Sequence, residues 1–322
     1  MWPISVKRLP SYLAVSPTSS PPASGVPGAA DAVLRAVERL RDALDALERP
    51  SVLDRAIGPV QRVVRALPLG EGRDVLHGRH LGHPLHPAMV QVPVGAWLSA
   101  GVLDALPGAR RGSGTLIAIG LAGAVPAALA GWVDWAEQHE QQMRTGLVHA
   151  VTNGAAIALY TGSLTARLRG RPGRGRLLAY AGLATAGFGG LLGGHMAYRQ
   201  AAGANKTEPV PHLVEPGWHA VGRAEEFAVG EPVRRTLGEV PLLVVRVDDA
   251  TVRVLGDRCS HFSGPLSDGE VADGCVECPW HGSVFRLSDG LNVRGPATAP
   301  QPSFETRTRP DGTLEVRLPN AG

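Results

Sequence analysis

Cys259-Ser260-His261 and Cys278-Pro279-Trp280-His281 are the residues of this 322-residue chain whose types and spacing most directly imply chemistry. Sixteen residues separate the two halves. Two thiolates and two imidazoles presented from two loops make a four-ligand metal site. Spacing alone leaves the metal open, because a structural zinc site uses the same donors. A third cysteine, Cys275, forms C-x-x-C with Cys278, but Cys278 is already committed as a ligand, so Cys275 reads as a spare thiol on a strand. Three cysteines are too few for a disulfide-framed scaffold.

The segment around these loops has to position them, and its pattern is β. PLLVVRV, TVRVL, GSVFRL, FETRT and LEVRL are short strand candidates separated by Gly, Asp and Pro turns. They predict a small antiparallel domain over residues 216–320. Ahead of it the chain changes character. Charge-poor apolar runs over 88–106, 114–133, 146–166 and 177–198 are each long enough to cross a hydrocarbon layer at about 1.5 Å per residue. They are rich in Ala and Gly, which suits close helix contact in lipid. A buried soluble bundle is the alternative.

The expected fold class is therefore multidomain: an all-α four-helix transmembrane bundle over 76–200, a polar linker over 201–215, then the all-β domain. Before the bundle, residues 1–30 are Pro-, Ser- and Gly-rich and read as a disordered tail, with no apolar core of signal-peptide length. Residues 31–75 read as amphipathic helix. Val33, Val37, Leu40, Leu44 and Leu47 form a short heptad stripe, and a second piece from Val52 to Leu67 is interrupted at Gly58-Pro59. Mean hydropathy is zero, an average of polar ends and an apolar middle. A net charge of +3, with 5% aromatics, argues against a nucleic-acid partner.

The stretch CSHFSGPLSDGEVADGCVECPWHGSVF resembles the Rieske [2Fe–2S] family, whose pattern is C-x-H, a spacer of about this length, and C-x-x-H. The resemblance runs from about Trp218 to Leu318 and implies an all-β Rieske fold. It implies that Cys259 and Cys278 hold one iron and that His261 and His281 hold the other. Neutral imidazoles in place of two thiolates raise the potential, and their exposed N–H groups allow reduction to couple to proton uptake. The quinol-oxidising type has an extra cysteine in each loop, forming a disulfide brace. Gly264 and Trp280 stand at those positions, so the form looks like the ferredoxin and oxygenase types. Ser283 matches a serine that hydrogen-bonds the cluster in this family, whereas Phe285 has no hydroxyl. An oxygenase also needs a mononuclear iron domain, which the apolar segments do not supply, so electron transfer is the expected role.

Residues 76–200 resemble a bacterial four-span membrane domain family of unknown function. The landmarks are LGHPLHP at residues 81–87, Pro93–Trp97 with Asp104, Gly131-Trp-Val-Asp134, His149 and Gly193-Gly-His195. If four spans alternate, His83, His86, Asp134, His149 and His195 fall at one end of the bundle, with Asn153 one turn from His149. Ionisable groups at membrane depth invite a functional reading. The candidates are histidines satisfied by water and backbone, a b-type haem, or a quinone or metal site, with His149 and His195 as the preferred pair. Seven basic residues flank each side, including Arg167, Arg169, Arg171, Arg174 and Arg176 in the last loop, so the positive-inside rule leaves the orientation open. The missing export signal and missing disulfide lean towards a cytoplasmic Rieske domain.

The chain thus reads as a membrane-anchored carrier exchanging electrons with an unidentified redox protein or quinol. A membrane redox sensor or assembly factor, with a cluster that reports rather than conducts, is the alternative.

Overall fold

The computed structural model describes residues 29–107 and 111–319. The tail expected over residues 1–30 lies, except for its last two residues, outside the described residues. Those two begin α1 (Ala29–Ala46), the helix that carries the heptad stripe. The described residues up to Asp45 form one compact unit, and those from Ala46 onward form a second one.

In the second unit, α2 (Asp54–Arg65) runs unbroken through Pro59. The expected interruption at Gly58-Pro59 is absent. Ile57 and Val64 pack α2 against Trp135, Ala136, Met143 and Leu147, and that burial offsets the hydrogen bond the proline cannot donate. Next come α3 (Gly72–His77), α4 (Leu85–Met89) and α5 (Gln91–Ala105). The long helices α6 (Arg111–Trp135), α7 (Glu140–Leu168) and α8 (Pro172–Gly194) follow.

Among the described residues, three helical stretches are long and apolar enough to cross a membrane: Leu85–Ala105, Gly112–Trp135 and Pro172–Arg199. The four expected helices are present, but α7, expected as the third span, does not qualify. Glu140, Gln141, Gln142 and Arg144 occupy its first turns, and polar residues continue through Thr152 and Asn153. Arg144 is buried and paired with Asp54 and Glu140, so this end of α7 is held by ion pairs as well as by apolar contact. Near the far end of the bundle a second buried pair, Arg167–Asp104, ties α7 to α5. The Trp97 and Tyr160 rings stack 4.3 Å apart between the same two helices.

The expected linker is partly fixed. It contains a short helix, α9 (Val210–Leu213), and Val214 is buried in the core of the β domain. Among the described residues that domain has ten strands, all paired antiparallel. One sheet has the order β1 (His219–Arg223), β10 (Thr313–Arg317), β9 (Ser303–Thr308), β4 (Val252–Gly256), β3 (Val240–Arg246) and β2 (Pro232–Leu237). A smaller sheet has the order β5 (Glu270–Ala272), β6 (Cys275–Glu277), β7 (Val284–Arg286) and β8 (Asn292–Arg294). The strands expected from alternation match β3, β4, β7, β9 and β10. The others are short or half-exposed, and their alternation is too brief to read. Leu243, Val245, Leu255, Val276 and Phe285 form a core between the sheets, directly beneath Cys259 and Cys278.

Candidate metal centre and its cover

Two loops carry the donor residues. One leaves β4 and the other joins β6 to β7. They close in the same way. The Cys259 N–H donates to the Gly264 carbonyl and the Cys278 N–H to the Ser283 carbonyl, each at 2.8 Å. In return, the Ser263 and Gly282 N–H groups donate to the Cys259 and Cys278 carbonyls at 2.8 and 3.0 Å. Closing so tight a ring puts Ser263 at φ 64° and Gly282 at φ 72°, in the left-handed region. Glycine adopts that conformation freely, and serine does so only under restraint.

Both cysteines are buried, and their thiols are hydrogen-bonded to each other. That bond raises the Cys259 thiol well above its usual range and holds Cys278 down to about 7. Backbone N–H groups of His261 and Phe262 point at the Cys259 sulfur, and those of Trp280 and His281 at the Cys278 sulfur. The His261 and His281 rings stand edge to face, 5.1 Å between centroids. Burial lowers the pKa of both, for His261 far below the usual imidazole value. Both are therefore neutral bases at pH 7, the form that binds a metal. His261 Nδ1 is buried with no hydrogen-bond partner. An orphaned lone pair beside two thiols is a donor set awaiting a cation.

A Cβ on Gly264 would lie 3.0 Å from both Cys278 Sγ and the Trp280 ring, so this glycine lets the two loops meet. The Ser283 hydroxyl is buried and accepts the Ala297 N–H at 3.0 Å, leaving its own proton free to donate. Cys275 is a free thiol on β6.

With this geometry, residues 217–305 match the Rieske [2Fe-2S] domain family. Over 101 residues the chain is 38% identical to the anthranilate 1,2-dioxygenase ferredoxin subunit of Burkholderia cepacia, covering 92% of that protein and 31% of this one. The chain belongs to the Rieske [2Fe–2S] family. It is also 33% identical to Ferredoxin CarAc of Metapseudomonas resinovorans, over 86% of that protein and 29% of this one. A match to the dicamba O-demethylase oxygenase component of Stenotrophomonas maltophilia, 38% identical, involves 23% of this chain and spans only 21% of that protein. Residues 82–206 match a second family described as a predicted membrane protein, DUF2231. Together with the three apolar helices, that match makes this a membrane protein with a Rieske domain.

A Rieske domain implies a [2Fe–2S] cluster, and the donor set fits one: two buried thiols, two neutral imidazoles, and an unpartnered Nδ1.

The helical part of the chain covers one flank of the Rieske loops, while Trp280 stays about half exposed. The His139 ring, at the start of α7, lies 4.6 Å from Phe262, 5.7 Å from Trp280 and 5.9 Å from His281. Lys206 lies 5.4 Å from the centre of the Phe262 ring on its other flank, and its N–H donates to the Ser260 carbonyl at 3.0 Å. Asp74 accepts the Gly295 N–H at 3.1 Å and pairs with Arg79, which donates to the Asn292 carbonyl. His77, fully buried, places Nδ1 2.8 Å from Asp134 Oδ1, and its other electrostatic neighbours include His261. His139 carried no signal in the sequence: it is a single histidine between two helices.

The expected pairing of His149 with His195 does not form. The helix after Gly194 widens into a turn in which the Gln200 N–H reaches the His195 carbonyl. The His195 side chain turns away to place Nε2 3.0 Å from Glu48. His149 instead faces His86. The single histidine face expected from helix arithmetic is thus divided into separate pairs, and the exposed His83 ring hydrogen-bonds the Pro84 carbonyl.

Removing Asp74 takes away the acceptor for Gly295 and the partner of Arg79. Asp74→Ala is expected to raise amide exchange several-fold across residues 292–297 and the 259–264 loop. A hydrogen–deuterium exchange comparison on full-length protein checks this.

Proposed function

We propose that this protein is a membrane-anchored Rieske electron carrier. The reading rests on one observation: two buried thiols and two neutral imidazoles converge from separate loops, with His261 Nδ1 left unpartnered. Cys259 and Cys278 hold one iron, and His261 and His281 hold the other. When bound, the cluster supplies one-electron transfer.

The chain's own residues tune and shelter that transfer. The four backbone N–H groups aimed at the sulfurs offset negative charge there and favour the reduced state. The Ser283 hydroxyl, held in place by Ala297, donates in the same sense. The His139, Phe262 and Trp280 rings pack edge to face around His281. The apolar helices anchor the domain to a bilayer. The ferredoxin names of the two small relatives support a role in passing electrons to or from a partner redox protein, with a quinol as the other candidate donor. We place the Rieske domain on the cytoplasmic face.

Electron paramagnetic resonance during a redox titration of detergent-purified protein tests the ligand set. The parent should give a Rieske signal. His261→Cys should shift its g values, and an unchanged signal would remove His261 from the ligand set. Ser283→Ala should lower the midpoint potential by about 40 mV, the equivalent of about 1 kcal/mol of hydrogen bonding. Rapid reduction by a quinol or a flavin reductase supports a carrier, and an intact cluster that turns over with neither favours a sensor. Ala204→Cys should stay unlabelled by an impermeant thiol reagent in intact cells.

A further inference from the structure

The cluster loops use none of the histidines inside the helical bundle, and two of those meet there. His86, in α4, and His149, on α7, stand edge to face with ring centroids 6.1 Å apart. One device fixes both rings. His86 Nδ1 lies 2.7 Å from the Ala127 carbonyl on α6, and His149 Nδ1 lies 2.9 Å from the Gly189 carbonyl on α8. A carbonyl oxygen can only accept, so Nδ1 carries the proton on both rings and Nε2 is left as the basic lone pair.

The helices are cut to allow this. A side chain four residues after a helical carbonyl leans back over it. Four residues after Ala127 stands Gly131, and four after Gly189 stands Gly193. A Cβ on Gly131 would lie 2.8 Å from His86 Nδ1, and one on Gly193 3.3 Å from His149 Cε1. Both notches are therefore filled by imidazole. Asn153 completes the surroundings: its amide donates to the His149 carbonyl at 2.9 Å and to His149 Nε2 at 3.2 Å, a hydrogen bond that a metal at Nε2 would displace. His86 Nε2 has no hydrogen-bond partner among the described residues.

Two imidazoles from different helices, each with its Nδ1–H donated to a backbone carbonyl, reproduce the way proteins orient metal-binding histidines. Imidazole suits copper, zinc and iron. We propose that His86 and His149 bind one transition-metal centre through their Nε2 atoms, either a bare first-row ion or the iron of a haem. The site is distinct from the Rieske loops. Asp134 lies between the two, hydrogen-bonded to His77 and within electrostatic reach of His86.

The test titrates full-length, detergent-purified protein separately with Cu(II) and with haemin. Copper binding is read from nitrogen hyperfine structure in its resonance spectrum, and haemin binding from the Soret band. One probe should bind at one equivalent to the parent and to His83→Ala. His86→Gln and His149→Gln should each weaken that binding about tenfold or more, and Gly131→Ala, which crowds the His86 ring, should weaken it as well. A retained Rieske signal in every variant certifies the fold and separates this site from the cluster. A Soret band identifies haem iron, and copper binding alone identifies a bare ion. Stoichiometric binding of neither probe, or undiminished binding by both glutamine variants, overturns the proposal.

Discussion

Two short loops must present four donor atoms to one small volume, and the hydrogen bonds that close those loops are what the rest of the structure serves. Each cysteine N–H is spent inside its own loop, on Gly264 or Ser283, which turns the following N–H groups towards the sulfur. The strained φ of Ser263 and the open one of Gly282 are consequences of that closure. Such loops hold shape only on a rigid base. Val276, Phe285, Leu255 and Leu266, all fully buried beneath them, provide it.

The helical part of the chain also reaches the cluster loops. Its upper end, from α3 to the start of α7, forms the cover of the cluster loops. A single ring, His139, contacts Phe262, Trp280 and His281 together, and Asp74 and Arg79 bind the backbone around Asn292 and Gly295. A cluster in this position is shielded on the face that its histidines occupy.

Polar groups in the bundle are handled by pairing. Arg167 meets Asp104, Arg144 meets Asp54 and Glu140, His77 meets Asp134 and His195 meets Glu48. Each pair lowers the cost of placing a charged or polar group among apolar helices. His86 and His149 are solved differently, through backbone carbonyls and glycine notches, and that difference marks them out.

The Rieske domain was legible in the sequence because its motif is local. Cys259, His261, Cys278 and His281 lie in two short segments, and residue type with spacing nearly specifies the chemistry. The helices were legible too, through the absence of charge in long runs. Only the tertiary structure decided which histidines meet. That choice depends on helix rotation, on the wide turn that carries His195 towards Glu48, and on the packing that brings α4 beside α7. Polar residues in the first turns of α7 likewise answer to partners distant in the chain, Arg144 to Asp54 above all. Residue identity fixes what a side chain can do; the packing of helices fixes which partner it does it with.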